Sequence, residues 1–136
     1  MTDLNEQIIA EFRANGGVVT TGGFGDSLII LHSTGAKSGL ERINPLLGIP
    51  TGDGAWLVAA SKAGAPESPG WYFNLVAHPD TTIETGDSTV PVVATDLKGP
   101  ARDEAWGRFT SHSDVFEASQ AKAGDRLIPV IRLDPR

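Results

Sequence analysis

The 136-residue chain contains no cysteine, and this absence removes several kinds of chemistry at once. Without thiols the protein has no disulfides, no zinc ribbon, no iron–sulfur ligation and no thiol nucleophile. The sequence also lacks an apolar run of the ~18 residues that a membrane span requires. It does not begin with a basic segment followed by an apolar one, so no signal peptide is predicted and a cytoplasmic location is expected.

Positive charge is scarce, because the chain carries a net charge of -6, and this argues against broad nucleic-acid binding. The three histidines, His32, His78 and His112, have no short ligand spacing, so no metal site is expected. Basic residues nevertheless outnumber acidic ones between positions 31 and 66, where they are Lys37, Arg42 and Lys62. This basic segment indicates a small anion site, and a chance distribution of charge is the alternative.

The hydrophobic pattern predicts a single α+β domain over residues 1–136. An N-terminal helix over about 3–15 is predicted to begin at Asp3 and to end at the glycine pair Gly16–Gly17. About six short strands are expected over residues 28–31, 43–49, 56–60, 81–85, 89–95 and 127–133. Helical segments are expected from 69 to 78 and from 101 to 122, with a break near 111–113. Because an open sheet of short strands leaves long unpaired edges, the pattern favours an antiparallel barrel.

A glycine-containing loop, Ser33–Gly39, follows the first strand. Its two glycines let the backbone turn sharply and direct successive amides into one concavity. Thr34 and Ser38 add hydroxyl groups, and Lys37 adds a positive charge. These are the groups that hold a phosphate or a carboxylate, although a solvated surface turn is the alternative.

Two further segments contain candidate functional residues. The segment Ala59–Pro66 consists mostly of small residues, which let a flat ring approach the backbone, although an ordinary strand-to-helix connection has the same composition. In Trp71–Leu75 the spacing places Trp71 and Leu75 on one helix face, where core packing is expected. Asn74 offers an amide that can tie this helix to a neighbouring loop.

Taken together, these segments resemble the deazaflavin-dependent nitroreductase family, within the split-barrel flavin and deazaflavin oxidoreductases. The order and spacing agree over roughly residues 25 to 133. Each segment is short, and the ordered set is what makes the resemblance specific. The matching segments are 31–39, 44–47, 59–66, 71–75, 77–79 and 128–130.

The resemblance implies a split β-barrel that binds coenzyme F-420, an 8-hydroxy-5-deazaflavin with a phospholactyl-polyglutamate tail. It implies a division of the coenzyme site into a phosphate loop, a path for the acidic tail, a support for the ring and a brace from the helix. The corresponding residues are Thr34, Lys37, Ser38 and Gly39 for the phosphate, Lys37 and Arg42 for the tail, Pro45, Leu46, Leu47, Ala60, Ser61 and Lys62 for the ring, and Asn74 for the brace.

The implied activity is hydride transfer from the reduced coenzyme to quinones, enones, unsaturated lactones or similar electrophilic small molecules. Ser61 and His112 are candidate proton donors, and Phe12, Phe116 and Ser119 are candidate substrate contacts. The chain departs from the family pattern at Ala36, where arginine is usual, and at Ser119, where a tyrosine is expected.

Two alternatives stay open at this point. One is a split-barrel reductase that binds FMN, since the basic loop suits an FMN phosphate too. The other is a non-catalytic deazaflavin carrier. The resemblance to the deazaflavin family makes a monomer the expected state, and the sequence predicts no nucleic-acid partner and no stable membrane insertion.

Overall fold

The computed structural model describes residues 4–19, 28–86 and 88–136, and it forms seven strands and four α-helices within these ranges. The helices are α1 (Leu4–Ala14), α2 (Gly70–Ala77), α3 (Gly99–His112) and α4 (Val115–Ala123). The strands are β1 (Leu28–Thr34), β2 (Glu41–Leu47), β3 (Ile49–Pro50), β4 (Trp56–Ala59), β5 (Asp80–Glu84), β6 (Thr89–Asp96) and β7 (Val130–Pro135). Asp3, the expected helix cap, lies outside the described residues. None of the described helices is both long and apolar enough to cross a bilayer.

All neighbouring strands pair antiparallel, in the order β2-β1-β5-β6-β7-β4-β3. The two ends of this order, β2 and β3, are consecutive in the chain and are separated only by Gly48. The sheet therefore curls until its ends are joined through one residue. A side chain at position 48 has no room, because a Cβ there would lie 2.9 Å from Cγ2 of Ile29. The curled sheet with its helices confirms the predicted α+β split barrel.

The strand count differs from the expected six because Gly48 divides the predicted strand 43–49. Its first part pairs with β1, placing Pro45 opposite Ile30, and only β3 forms the expected hairpin with β4. The last strand begins three residues later than predicted. The amide of Ile128 donates to the side chain of Gln120, and Pro129 has no amide to donate, so regular pairing starts at β7.

The core consists of three clusters of buried side chains. Trp71 and Leu75 of α2 pack into the first cluster with apolar residues of six strands of the sheet, and this anchors α2 beside the end of β1. The second cluster joins Ile8 and Phe12 of α1 to β1. In the third, α3 and α4 cover β4 and β7. The anchoring of α2 is what positions the site described next.

Candidate functional site

The loop of residues 34–39 begins at Thr34, the last residue of β1, and turns tightly at its two glycines. The amide of Gly35 donates to the carbonyl of Leu40 at 2.8 Å, and the amide of Gly39 donates to the carbonyl of Gly35 at 2.9 Å. Gly39 has a φ of 72°, in the left-handed region that glycine adopts without steric cost. A Cβ at Gly35 would collide with Oγ of Ser38. The turn exposes residues 36–38 at its tip.

The side chain of Asn74 joins α2 to this 34–39 loop. Its Oδ1 accepts a hydrogen bond from the amide of Ala36 at 2.9 Å. Its Nδ2 donates to Oγ of Ser33 at 3.2 Å, and Ser33 is only 1% exposed. Trp71 and Leu75 fix α2 in the core. The Asn74 amide therefore holds the exposed turn in a fixed position relative to that core.

An open cavity of about 990 Å³ lies between the 34–39 loop and α2. Loop residues 35–38 and the first half of β2 (41–44) form one wall, and Lys62 and the start of α2 (69–71, 73 and 74) form the other. Trp71, Phe73 and Ile43 make part of the wall apolar. The cavity therefore combines a polar, glycine-bounded turn with aromatic surface.

The charges around the cavity are unevenly compensated. Neither Lys37 nor Arg42 has an ionic or hydrogen-bonding partner for its side chain among the described residues. Lys62 is paired instead, with Nζ at 3.0 Å from Oε1 of Glu67. The hydrogen bond from Lys62 holds the pKa of the Glu67 carboxyl below its usual range. The charged residues that line the cavity are thus Lys37, Arg42 and Lys62 against the single acid Glu41, and this positive balance favours an anionic ligand.

The side chain of Arg126 supports the cavity wall that Lys62 and the start of α2 form. Arg126 lies between α4 and β7, and its guanidinium donates four hydrogen bonds to the segment of residues 60–68. Within this 60–68 segment a single 3₁₀ turn, Lys62–Gly64, follows β4. No local pattern in the sequence points to Arg126, because its partners lie about 60 positions away. The only signal was its place beside the matching segment 128–130.

Comparison with known proteins places the chain in a family. Residues 5–135 match the F420H(2)-dependent quinone reductase family. The chain belongs to this family. An F420H(2)-dependent quinone reductase of Mycobacterium tuberculosis strain H37Rv is 36% identical over 110 residues, which cover 79% of this chain and 73% of the relative.

Two solved structures are similar to this member of the F420H(2)-dependent quinone reductase family. The first is an F420-H2 dependent reductase, FDR-A, with 35% identity and a TM-score of 0.72, covering 79% of this chain and 94% of that one. The second is described as a domain-swapped dimer, with 32% identity and a TM-score of 0.74, covering 94% of this chain and 96% of that one.

In this family member the expected coenzyme residues fall into two groups. Those on the cavity wall are Lys37, Ser38, Arg42, Lys62 and Asn74. The others flank it: Thr34 and Gly39 are at the two ends of the loop, Pro45, Leu46 and Leu47 continue β2, Ala60 is fully buried in the first core cluster, and Ser61 directly precedes the 3₁₀ turn.

The remaining candidates lie away from this cavity as the described residues define it. Phe12 is 3% exposed and packs in the second core cluster, while Phe116 stacks edge-on against Phe109 with ring centroids 5.0 Å apart. Ser119 is buried, and its carbonyl oxygen would lie 2.6 Å from a Cβ at Gly64. His112 is exposed at the end of α3.

Proposed function

We propose that this chain is an oxidoreductase that uses reduced coenzyme F-420 as hydride donor for quinones and similar electrophiles. The observation that carries the proposal is the cavity beside the 34–39 loop, where Lys37 and Arg42, which have no partner among the described residues, adjoin an aromatic wall. Membership of the F420H(2)-dependent quinone reductase family supports the choice of coenzyme.

The residues present fit this coenzyme by their chemistry. The phosphate suits the exposed tip of the loop, where Lys37 offers an ammonium and Ser38 a hydroxyl, between Thr34 and Gly39. The glutamate carboxylates of the tail suit the unpaired guanidinium of Arg42. The flat ring suits the small residues Ala60–Lys62, with Pro45, Leu46 and Leu47 behind its edge and Asn74 bracing the loop.

The bound deazaflavin supplies two-electron hydride transfer, and the protein supplies position and electrostatics. The quinone takes up one hydride and one proton and becomes a hydroquinone. The chain holds the donor close to the acceptor, which is the main catalytic contribution of a site of this kind. Ser61 directly precedes Lys62 of the cavity wall and His112 does not adjoin it, so we assign the proton to the Ser61 hydroxyl or to solvent.

We propose that the candidate substrate residues act from behind the walls. Ser119 and Phe116 lie on α4, whose carbonyl at position 119 packs against Gly64 of the 3₁₀ turn. Phe12 packs under β1 through Leu28 and Ile30. Substitutions at these three positions are therefore expected to change substrate choice by shifting the wall rather than by removing a contact.

A fluorescence titration of the purified protein with F-420 and with FMN tests the proposed coenzyme. Mixing the protein and reduced F-420 with menadione, and separately with an unsaturated lactone, then tests the activity. We expect preference for F-420 and oxidation of the reduced coenzyme by menadione. Preference for FMN would replace the proposal with an FMN reductase, and F-420 binding without turnover of either acceptor would replace it with a carrier.

We further propose that the chain acts as a single-domain monomer over residues 1–136 in the cytoplasm. The similar structure described as a domain-swapped dimer makes the monomer a point to measure. Sedimentation equilibrium is expected to give one chain per particle, and a particle of twice that mass would contradict the monomer.

A further inference from the structure

We propose that Arg126 is a positioning residue for the coenzyme ring: it fixes the backbone of the 60–68 segment without touching the coenzyme. This inference rests on the proposed function, because it concerns the segment that supports the ring there. Arg126 is not a wall residue of the cavity, whereas Lys62 within the 60–68 segment is. The side chain therefore acts through that segment.

The guanidinium of Arg126 binds acceptors on both sides of the 3₁₀ turn. Nε donates to the carbonyl of Ala65 at 2.9 Å, and Nη2 donates to the carbonyl of Ser61 at 2.7 Å. Nη1 donates to the carbonyl of Ala60 at 3.0 Å and to Oγ of Ser68 at 3.1 Å. One planar, rigid group thus closes the segment across its ends, which a flexible lysine ammonium does not reproduce.

Fixing these carbonyls also fixes the amides that follow them. A trans peptide unit is planar, so the amide of residue i+1 points opposite to the carbonyl of residue i. The contacts to Ala60 and Ser61 therefore direct the amides of Ser61 and Lys62 away from the guanidinium. Within the described part of the chain, the amide of Ser61 has no hydrogen-bond acceptor. It is a donor held in place one residue before Lys62 of the cavity wall, and in the proposal it serves a carbonyl oxygen of the ring.

The 60–68 segment needs such an external restraint. Lys62 has a φ of 47°, a left-handed conformation that is unfavourable for a residue with a side chain. Arg126 is itself held, because Nε2 of Gln120 donates to its carbonyl at 2.8 Å and Oε1 of Gln120 accepts from the amide of Ile128. Gln120 of α4 thus holds Arg126 in place. Arg126 in turn holds the segment that contributes Lys62 to the wall of the cavity.

The test is Arg126→Lys, which keeps the positive charge and removes the planar set of guanidinium N–H donors. The ligands are F-420 and its deazaflavin chromophore without the phospholactyl tail, called here the ring fragment. We expect the dissociation constants of both ligands to rise by the same factor, about three- to tenfold. In the protein without ligand, amide hydrogen exchange in residues 60–65 should become faster.

Arg136→Lys is the matched control, because Arg136 also donates to backbone carbonyls, those of Val92 and Thr81, and does not line the cavity between the 34–39 loop and α2. It should leave both dissociation constants and the exchange of residues 60–65 unchanged. An unchanged dissociation constant for the ring fragment in Arg126→Lys would overturn the inference, as would an equal rise in Arg136→Lys. If the wild-type protein binds neither ligand, the proposed function fails and the inference fails with it.

A second measurement decides the case if Arg126→Lys does not fold. In the wild-type protein, the ring fragment should slow amide exchange in the peptide that covers residues 60–65. Slower exchange there supports the inference. Binding of the ring fragment with no change in that peptide overturns it, while leaving the proposed function intact.

Discussion

Asn74 of α2 accepts a hydrogen bond from the backbone amide of Ala36, at the tip of the loop that carries Lys37. The same side chain also donates to the buried hydroxyl of Ser33, at the root of that loop. Through one amide group, a helix packed into the core thus sets the shape of an exposed turn. In the proposed function, this contact is what makes the turn rigid enough to bind the coenzyme phosphate.

Asn74→Ala is expected to weaken F-420 binding several-fold although Asn74 carries no charge. The substitution frees the amide of Ala36 and the hydroxyl of Ser33, and each lost hydrogen bond costs about 1 kcal/mol of stability. Urea unfolding and a fluorescence titration measure the two effects. Asn15→Ala, at an exposed asparagine after α1, is the control and should change neither quantity. Binding as tight as wild type in Asn74→Ala would show that the turn needs no brace.

Arg42→Gln is expected to weaken binding in proportion to the length of the coenzyme tail. The unpaired guanidinium of Arg42 faces the carboxylates in our proposal, so the variant should discriminate against F-420 with several glutamates and bind the ring fragment like wild type. Titrations with coenzymes of different tail length measure the difference. An equal loss for all ligands, including the ring fragment, would place Arg42 elsewhere in the site.

Tyr72 provides a pH prediction that needs no coenzyme. Burial, together with the hydrogen bond to Oδ2 of Asp96 at 2.5 Å, raises the pKa of Tyr72 to about 12. Because Tyr72 is the only tyrosine, tyrosinate absorbance reports this one group. We expect little ionisation at pH 10.5 in the folded protein and a pKa of about 10 in denaturant.

Because folding raises the pKa of Tyr72, the stability that this group contributes decreases at alkaline pH. The fold favours the neutral phenol, so this stabilising contribution is present below pH ~10 and is lost as the pH rises through the folded value. Asp96→Asn should lower the pKa of Tyr72 partway, since it removes the carboxylate but leaves the burial. A folded-state pKa of 10 in the wild-type protein would contradict the burial and the contact.

Glu84 should stabilise the protein in the opposite pH direction. The bidentate hydrogen bonds from Arg13 of α1, at 2.6 and 3.0 Å, hold the pKa of Glu84 below its ordinary value of 4.5, and His32 contacts the same carboxylate. The stabilising contribution is therefore present above pH ~4.5 and disappears as the pH falls through the lowered folded value.

Glu84→Gln should accordingly lower the free energy of unfolding at pH 7 by about 1 kcal/mol, and by less below pH 4. Urea unfolding at several pH values measures this difference. Glu104→Gln, at an exposed glutamate of α3, is the control and should be nearly neutral throughout. A destabilisation by Glu84→Gln that does not depend on pH would mean that the ion pair contributes nothing.

The sequence was sufficient for those features that depend on local spacing. The end of α1 at the glycine pair, the break between α3 and α4 and the hairpin of β5 with β6 follow from short-range patterns. The division of the predicted strand at Gly48 did not follow, because it depends on how closely Ile29 approaches in the folded sheet. The contacts of Arg126 did not follow either, since three of its four acceptors are backbone carbonyls, which have no sequence signature.

In the proposed function the ammonium of Lys37 binds the coenzyme phosphate, and the F-420 dissociation constant of Lys37→Ala measures the contribution of this contact. A charge-assisted hydrogen bond contributes about 1.5–3 kcal/mol, so the constant should rise at least several-fold, and less at high salt. Lys98→Ala, which removes the same charge beside Asp96 rather than at the cavity, should bind F-420 like wild type. An unchanged constant in Lys37→Ala, or an equal rise in both variants, would show that Lys37 does not hold the phosphate.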